Sequence, residues 1–290
     1  MRLAIISEGI NTWPLYCAHG RKFFEQAGAE VEVTLTGSSV MQLEKLIAGE
    51  FDIGFQQSDH VVRAVEQGAD LFIFMSHGHA PDLSLVAAPG VSTFADLRGA
   101  TVAVDGARTG YALLLRKLLA ANGLNEGDLE YREFGGSQER FEAMRQGAAR
   151  ASLLNPPFDR RLFDAGFASL GTLGQFFPLY PGPVAATRRA WAREHERELV
   201  AFIRGFHLAW AWLQDPANKA EAIALLPERL GIAPDAAARA FERYAQRARP
   251  AITEEGLRQV IDVVWEAEGY PPPKGEPSRY FDFSYLVKAG

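Results

Sequence analysis

Short apolar runs alternate with helix-period segments over residues 3–165, and this alternation constrains the fold more than any other feature of the chain. Residues 3–6, 31–35, 51–55 and 71–75 read as strands. Between them, 15–27, 40–48 and 60–67 read as helices, with Val40, Leu43, Leu46 and Ile47 on one face of the second. Gly28 stands just past the first as a stop. A β-α-β-α-β-α-β order predicts a parallel sheet covered on both faces. A second unit repeats the scheme, with strands at 84–87, 101–104, 129–134 and 151–154 and helices at 110–122, 138–146 and 160–165. A capped turn at 93–96 opens it.

After Thr187 the pattern becomes purely helical, at 190–213, 219–230, 234–245 and 254–268. Pro271, Pro272 and Pro273 then predict an extended strap. A sheet of the first unit's size needs helices on both faces, so the late helices are expected to return to it. The expected organisation is a first lobe at 1–87, a second at 88–185 and a mostly helical return segment at 186–290. The chain would cross between lobes twice, near 84–88 and near 183–187. The fold class is α/β, with two doubly wound lobes and the C-terminal helical segment packing on lobe 1.

Composition narrows the partners. With 30 Lys+Arg against 36 Asp+Glu, the formal charge is −6 and no basic stripe stands out, which argues against nucleic acid. No window approaches the roughly 18 apolar residues of a membrane span. Cys17 is the only cysteine, so no internal disulfide forms. The opening residues show neither the apolar core nor the cleavage site of a secretory signal. The chain as given is therefore expected in the cytoplasm, or in the periplasm if an export signal was removed. It is expected to act as a monomer, without cofactor or metal.

In open α/β sheets, ligands gather at the carboxyl ends of the strands. Five loops there carry candidate chemistry. The first, at 11–16, offers Trp13 and Tyr16 as an aromatic wall, and core packing is the competing role for Trp13. The second holds Gly37, Ser38 and Ser39 at a helix start, which suits an anion or simply an N-cap. In the third, Gln56, Gln57, Ser58, Asp59 and His60 follow a buried strand, more polarity than a turn requires. In the fourth, Gly106, Arg108, Thr109 and Gly110 precede an apolar helix, and backbone N–H groups with an arginine make it the strongest local anion signal. In the fifth, Asn155 stands before two prolines as a hydrogen-bonding candidate and Phe158 as a stacking one. His77 and His79 could join Asp82 or Asp59 at a metal, although no metal-ligand spacing supports it. Cys17 sits in a helical pattern as a small buried residue.

An ordered series of motifs resembles a known family. Trp13-Pro14-Leu15-Tyr16, Phe23-Phe24, Gly37-Ser38-Ser39 and the run from Leu46 to Gly54 resemble the opening half of nitrate/sulfonate/taurine-type ABC importer solute-binding proteins and their THI5/NMT1-like relatives. Phe94-Ala95-Asp96-Leu97-Arg98-Gly99, Ala143-Met144-Arg145-Gln146-Gly147 and Pro156-Pro157 continue it. The resemblance implies a type II periplasmic-binding-protein fold that traps a small molecule between two lobes, with an ABC permease as partner. Carried over, Trp13, Ser38, Ser58 and residues 106–111 would line the cleft. Arg108 in that last loop favours a carboxylate or another anion over a sulfonate. The alternative is a cytoplasmic enzyme on the same fold, acting on an aromatic acid or a pyrimidine-type substrate. His60, His77 and Asp59 would be its acid/base candidates.

Overall fold

The computed structural model describes the whole chain except residues 7, 80–82 and 108, together with all side chains there but that of residue 229. Among the described residues ten strands form: β1 (Arg2–Ile5), β2 (Glu32–Leu35), β3 (Ile53–Gln57), β4 (Leu71–Ser76), β5 (Ser84–Ala87), β6 (Thr101–Val104), β7 (Glu130–Glu133), β8 (Ala151–Leu154), β9 (Ala168–Thr172) and β10 (Pro183–Arg188). The helices in the first half are α1 (Trp13–Gly20), α2 (Phe23–Ala27), α3 (Ser39–Ala48), α4 (Ser58–Glu66), α5 (Gly110–Ala121) and α6 (Ser137–Arg145). Those that follow are α7 (Phe158–Asp164), α8 (Leu173–Phe176), α9 (Arg189–Glu194), α10 (Glu196–Gln214), α11 (Lys219–Ala224), α12 (Pro234–Gln246), α13 (Glu254–Glu268) and α14 (Ser284–Ala289).

The chain divides into two compact units. The first comprises Met1–His79, Gly182–Ile252 and Glu276–Gly290; the second comprises Ala80–Pro181 and Thr253–Gly275. The late helices α9 to α12 therefore do group with the opening residues. α13 does not: it groups with the second unit, so the segment 186–290 is divided. The local reason is a close backbone approach. A Cβ on Gly256 would lie 2.0 Å from the Leu179 carbonyl oxygen, so only glycine lets α13 seat there.

The first unit's sheet runs β2-β1-β3-β10-β4, and the second's runs β7-β6-β8-β5-β9. The expectation of an all-parallel sheet is corrected in both. β10 lies antiparallel between β3 and β4, and β5 lies antiparallel to β8 and β9. Parallel neighbours need a crossover, usually a helix, and neither β5 nor β10 is joined to its sheet by one. Strands β9 and β10 were not expected at all. Their small residues, such as Ala168, Gly171, Ala185 and Ala186, gave no strong strand pattern.

Three boundaries moved with consequences. The expected helix at 15–27 is two helices, broken at Lys22, the one described non-glycine residue with positive φ, at 57°. β3 starts and ends two residues later than expected, which puts Gln56 and Gln57 within the strand. α4 correspondingly starts at Ser58 rather than His60.

In the first unit, α10 lays Phe202, Phe206 and Trp210 onto the sheet beside Phe55 and Phe74. A smaller cluster around Phe141, Met144, Leu154 and Leu162 packs the second. No helix among the described residues is long and apolar enough to cross a membrane.

Candidate ligand-binding site

The carboxyl end of the first unit's sheet gathers the loops after β1, β2, β3 and β4 and the start of β10. Trp13 takes the core role there. It is fully buried, its indole N–H donates to the Ala222 carbonyl at 2.8 Å, and Phe241 and Tyr244 pack edge-on at 6.1 and 5.7 Å. An aromatic wall for a ligand is thus not what Trp13 provides: α11 and α12 cover it. Tyr16 is half-buried, and its hydroxyl donates to Glu8 Oε1 at 3.2 Å. Burial foremost raises that phenol's pKa. After β2, Gly37 is exposed with φ 69°, and Ser38 caps α3 by accepting from the Met41 N–H at 3.3 Å. Ser39 is the first residue of that helix. Ser38 therefore fills the capping role.

After β3 the site becomes less conventional. Ser58 opens α4, which has no side-chain cap. Its N–H donates to the Gly182 carbonyl at 2.9 Å, but its buried Oγ meets no partner among the described residues. Gln56 is equally buried. Its Oε1 lies 3.2 Å from His60 Nδ1, while its Nε2 is unmet. Gln57, half-buried, ends the strand. Asp59 is held by Arg63 at 2.6 Å in an i,i+4 ion pair.

After β4, His77 stacks on Phe55 with ring centroids 3.9 Å apart, and its buried Nδ1 has no partner among the described residues. Burial pushes its pKa down to about 3, so the ring is neutral near pH 7. His79 instead meets the Ala248 carbonyl at 2.8 Å. Asp82 lies outside the described residues, and among those described no cluster of three or more His, Cys, Asp or Glu could hold a metal. Cys17 is buried, and burial pushes its thiol up to about 12, which leaves it unreactive near pH 7.

The second unit's sheet ends in a polar network. Thr109 Oγ1 donates to Asp105 Oδ1 at 2.6 Å and accepts from the Ala112 N–H at 3.2 Å, capping α5. Gly106 lies in the loop before it, and Gly110 opens the helix. Arg108 lies outside the described residues. Asn155 accepts from the Ser137 hydroxyl at 2.5 Å. The same hydroxyl accepts from Arg140 Nη2 at 3.1 Å, and Arg140 Nη1 stands 3.7 Å from Asp105. Phe158 packs against Phe141 at 5.7 Å, a core contact rather than a free stacking face.

Ser137 and Arg140 were missed in the sequence. The signal was present: Gly135-Gly136-Ser137 follows a strand and precedes a helix, as the other candidate loops do. Its arginine lies three residues into the helix, where a sequence reading assigns it to a solvated face.

The sequence model of the "NMT1/THI5 like" family matches residues 10–220. The chain belongs to the NMT1/THI5-like family. No curated protein matches it in sequence. Among solved structures, the periplasmic aliphatic sulphonate binding protein SsuA from Escherichia coli is similar at TM-score 0.77 and 19% identity, over 96% of this chain and 90% of that one. The alkanesulfonate-binding protein SsuA from Xanthomonas axonopodis pv. citri, bound to MOPS, aligns at TM-score 0.74 and 18% identity, over 97% and 98%. The periplasmic nitrate-binding protein NrtA from Synechocystis PCC 6803 aligns at TM-score 0.75 and 15% identity, over 99% and 87%. At such identities the likeness shows the fold, and this NMT1/THI5-like chain has the periplasmic-binding-protein fold.

Proposed function

We propose that the chain is the solute-binding component of an ABC importer and holds a small anionic or aromatic organic molecule. Its partner would be the importer's permease, and its place of action the periplasm. One observation carries the reading furthest. Both sheets end, at the edge where α/β folds bind ligands, in buried polar groups that the described protein leaves unmet: Ser58 Oγ and Gln56 Nε2 in one unit and Arg140 Nε in the other. The named functions of the solved relatives agree with this reading.

The enzymatic alternative has less support. Asp59 is paired with Arg63, His60 is held to Gln56, and His77 lies flat on Phe55. None of the three stands poised as an acid or base.

Thermal melting with a panel of alkanesulfonates, nitrate, aromatic acids and pyrimidines tests the proposal. A solute at about 100 times its Kd stabilises the chain by roughly 2.7 kcal/mol. A panel that leaves the melting temperature unchanged throughout refutes it.

A further inference from the structure

A cavity opens on the first unit at the sheet edge opposite the candidate site, where β1 and β3 begin and β10 ends. It measures about 430 Å³, a size that suits a small molecule, and lies among Arg2, Asp52, Arg188, Trp191, His195 and Glu198. The Met1 amine also borders it and donates to the Glu30 carbonyl at 2.7 Å. Strand order brings these residues together. Arg2 opens β1, Asp52 precedes β3 and Arg188 closes β10, while Trp191 lies on α9 and Glu198 on the first turn of α10.

The charged groups in this cavity are not equally engaged. Asp52 is closed on Arg2: its Oδ1 accepts from Nη2 at 2.7 Å and its Oδ2 from the Arg2 backbone N–H at 2.8 Å. Arg188 is half-buried and held in place by one nitrogen. Its Nη1 donates to the Leu46 carbonyl at 2.7 Å and the Phe51 carbonyl at 2.9 Å, at the negative end of α3. Its Nη2 and Nε meet no hydrogen-bond partner among the described residues. Glu198 is exposed, and its carboxylate makes no hydrogen bond or ion pair with a described residue. His195 stacks on Trp191 with ring centroids 4.9 Å apart and planes 5° from parallel. Its Nδ1 lies 3.1 Å from the Trp191 carbonyl oxygen, which only an N–H can satisfy, so the neutral ring offers Nε2 as an acceptor.

The cavity thus presents an open guanidinium edge together with an open carboxylate and an imidazole acceptor. A lone anion would suit Arg188 but face Glu198. A lone cation would suit Glu198 but face Arg188. A molecule carrying both signs completes both ends through charge-assisted hydrogen bonds. We propose that this cavity binds a free α-amino acid, its carboxylate on Arg188 and its ammonium on Glu198 and His195. The site is separate from the one assigned to the transported solute, and the inference stands independently of the solute-binding reading.

A melting screen of wild type against the twenty common L-amino acids, followed by isothermal titration of the strongest stabiliser, tests it. Saturable binding of one amino acid per chain is expected. The N-acetyl derivative of that amino acid, which lacks the ammonium, and its carboxamide, which lacks the carboxylate, should each bind at least tenfold more weakly. Glu198→Gln changes an exposed side chain and should lower the affinity tenfold or more. Arg188→Lys keeps the charge but loses the fork, and should lower it severalfold. Should Arg188→Lys fail to fold for want of its bonds to α3, Glu198→Gln decides the matter. Ser58→Ala, at the opposite sheet edge, should leave amino-acid affinity unchanged. No binding by any of the twenty, equal affinity in wild type and Glu198→Gln, or a loss in Ser58→Ala overturns the inference. The solutes of the earlier panel serve as the separate control: their binding, unchanged in Glu198→Gln, leaves the solute-binding reading standing whichever way the amino-acid result falls.

Discussion

At the scale of single residues, a satisfied polar group, rather than burial, separates residues that hold the fold from candidates for a ligand. Trp13 and Ser58 stood side by side as candidates in the sequence, and both are fully buried. Trp13 has its one donor satisfied, whereas the Ser58 hydroxyl does not. A buried hydroxyl without a partner costs stability, so removing it should be harmless to the fold. Ser58→Ala is expected to leave the unfolding free energy unchanged or raise it by about 1 kcal/mol while weakening solute affinity. Chemical denaturation and titration calorimetry on the same variant check both halves. His77 gives a second expectation. Its pKa falls from 6.5 to about 3 in the fold, so the unfolded chain binds a proton that the native state refuses. Stability is therefore full above about pH 6.5 and declines as pH falls toward 3, by at most roughly 1.4 kcal/mol per pH unit from this group. His77→Phe keeps a ring on Phe55 and should flatten that decline between pH 6.5 and 4. His207, also held low by burial at about 4, contributes its own slope in both proteins. An identical pH profile for the variant removes His77 from the account.

At the scale of elements, most strands and helices were legible because apolar period and turn residues agreed. The strands at 84–87, 101–104 and 151–154 and the helix at 254–268 fall where the pattern puts them. What was not legible depended on distant partners. β10 has small residues and a proline at its start, and it becomes a strand because β3 and β4 flank it. Lys22 breaks a periodic segment with a left-handed backbone that lysine does not advertise. The shift of β3 by two residues changed the reading of the site, since it turned Gln56 from a loop residue into a buried strand residue. The seating of α13 was equally invisible, because it depends on Gly256 meeting Leu179, far away in sequence. Gly256→Ala places a methyl group against a carbonyl oxygen and should cost about 1–3 kcal/mol. Hydrogen exchange should show α13 opening more readily in that variant while the β1–β3 strands keep their protection. Unchanged exchange in α13 would contradict the seating described.

At the scale of the whole molecule, the family and the fold class were readable from the order of weak motifs, none of which is specific alone. The family match over residues 10–220 and the likeness to solute-binding proteins across nearly the full length agree with that reading. The site was read less well. The polar loops do lie at the carboxyl ends of the strands, but which of their atoms lack protein partners is a matter of packing. Among the described residues, the cation of the second unit's network is Arg140, from α6. On the proposed reading, the molecule holds a solute without transforming it. Native mass spectrometry of the chain, incubated in turn with benzoate, methanesulfonate, nitrate and a pyrimidine, tests this most directly when the small molecule is released and identified afterwards. One molecule per chain from at least one of these classes, recovered chemically unchanged, is expected. A chain that retains none of them, or that returns a transformed product, contradicts it.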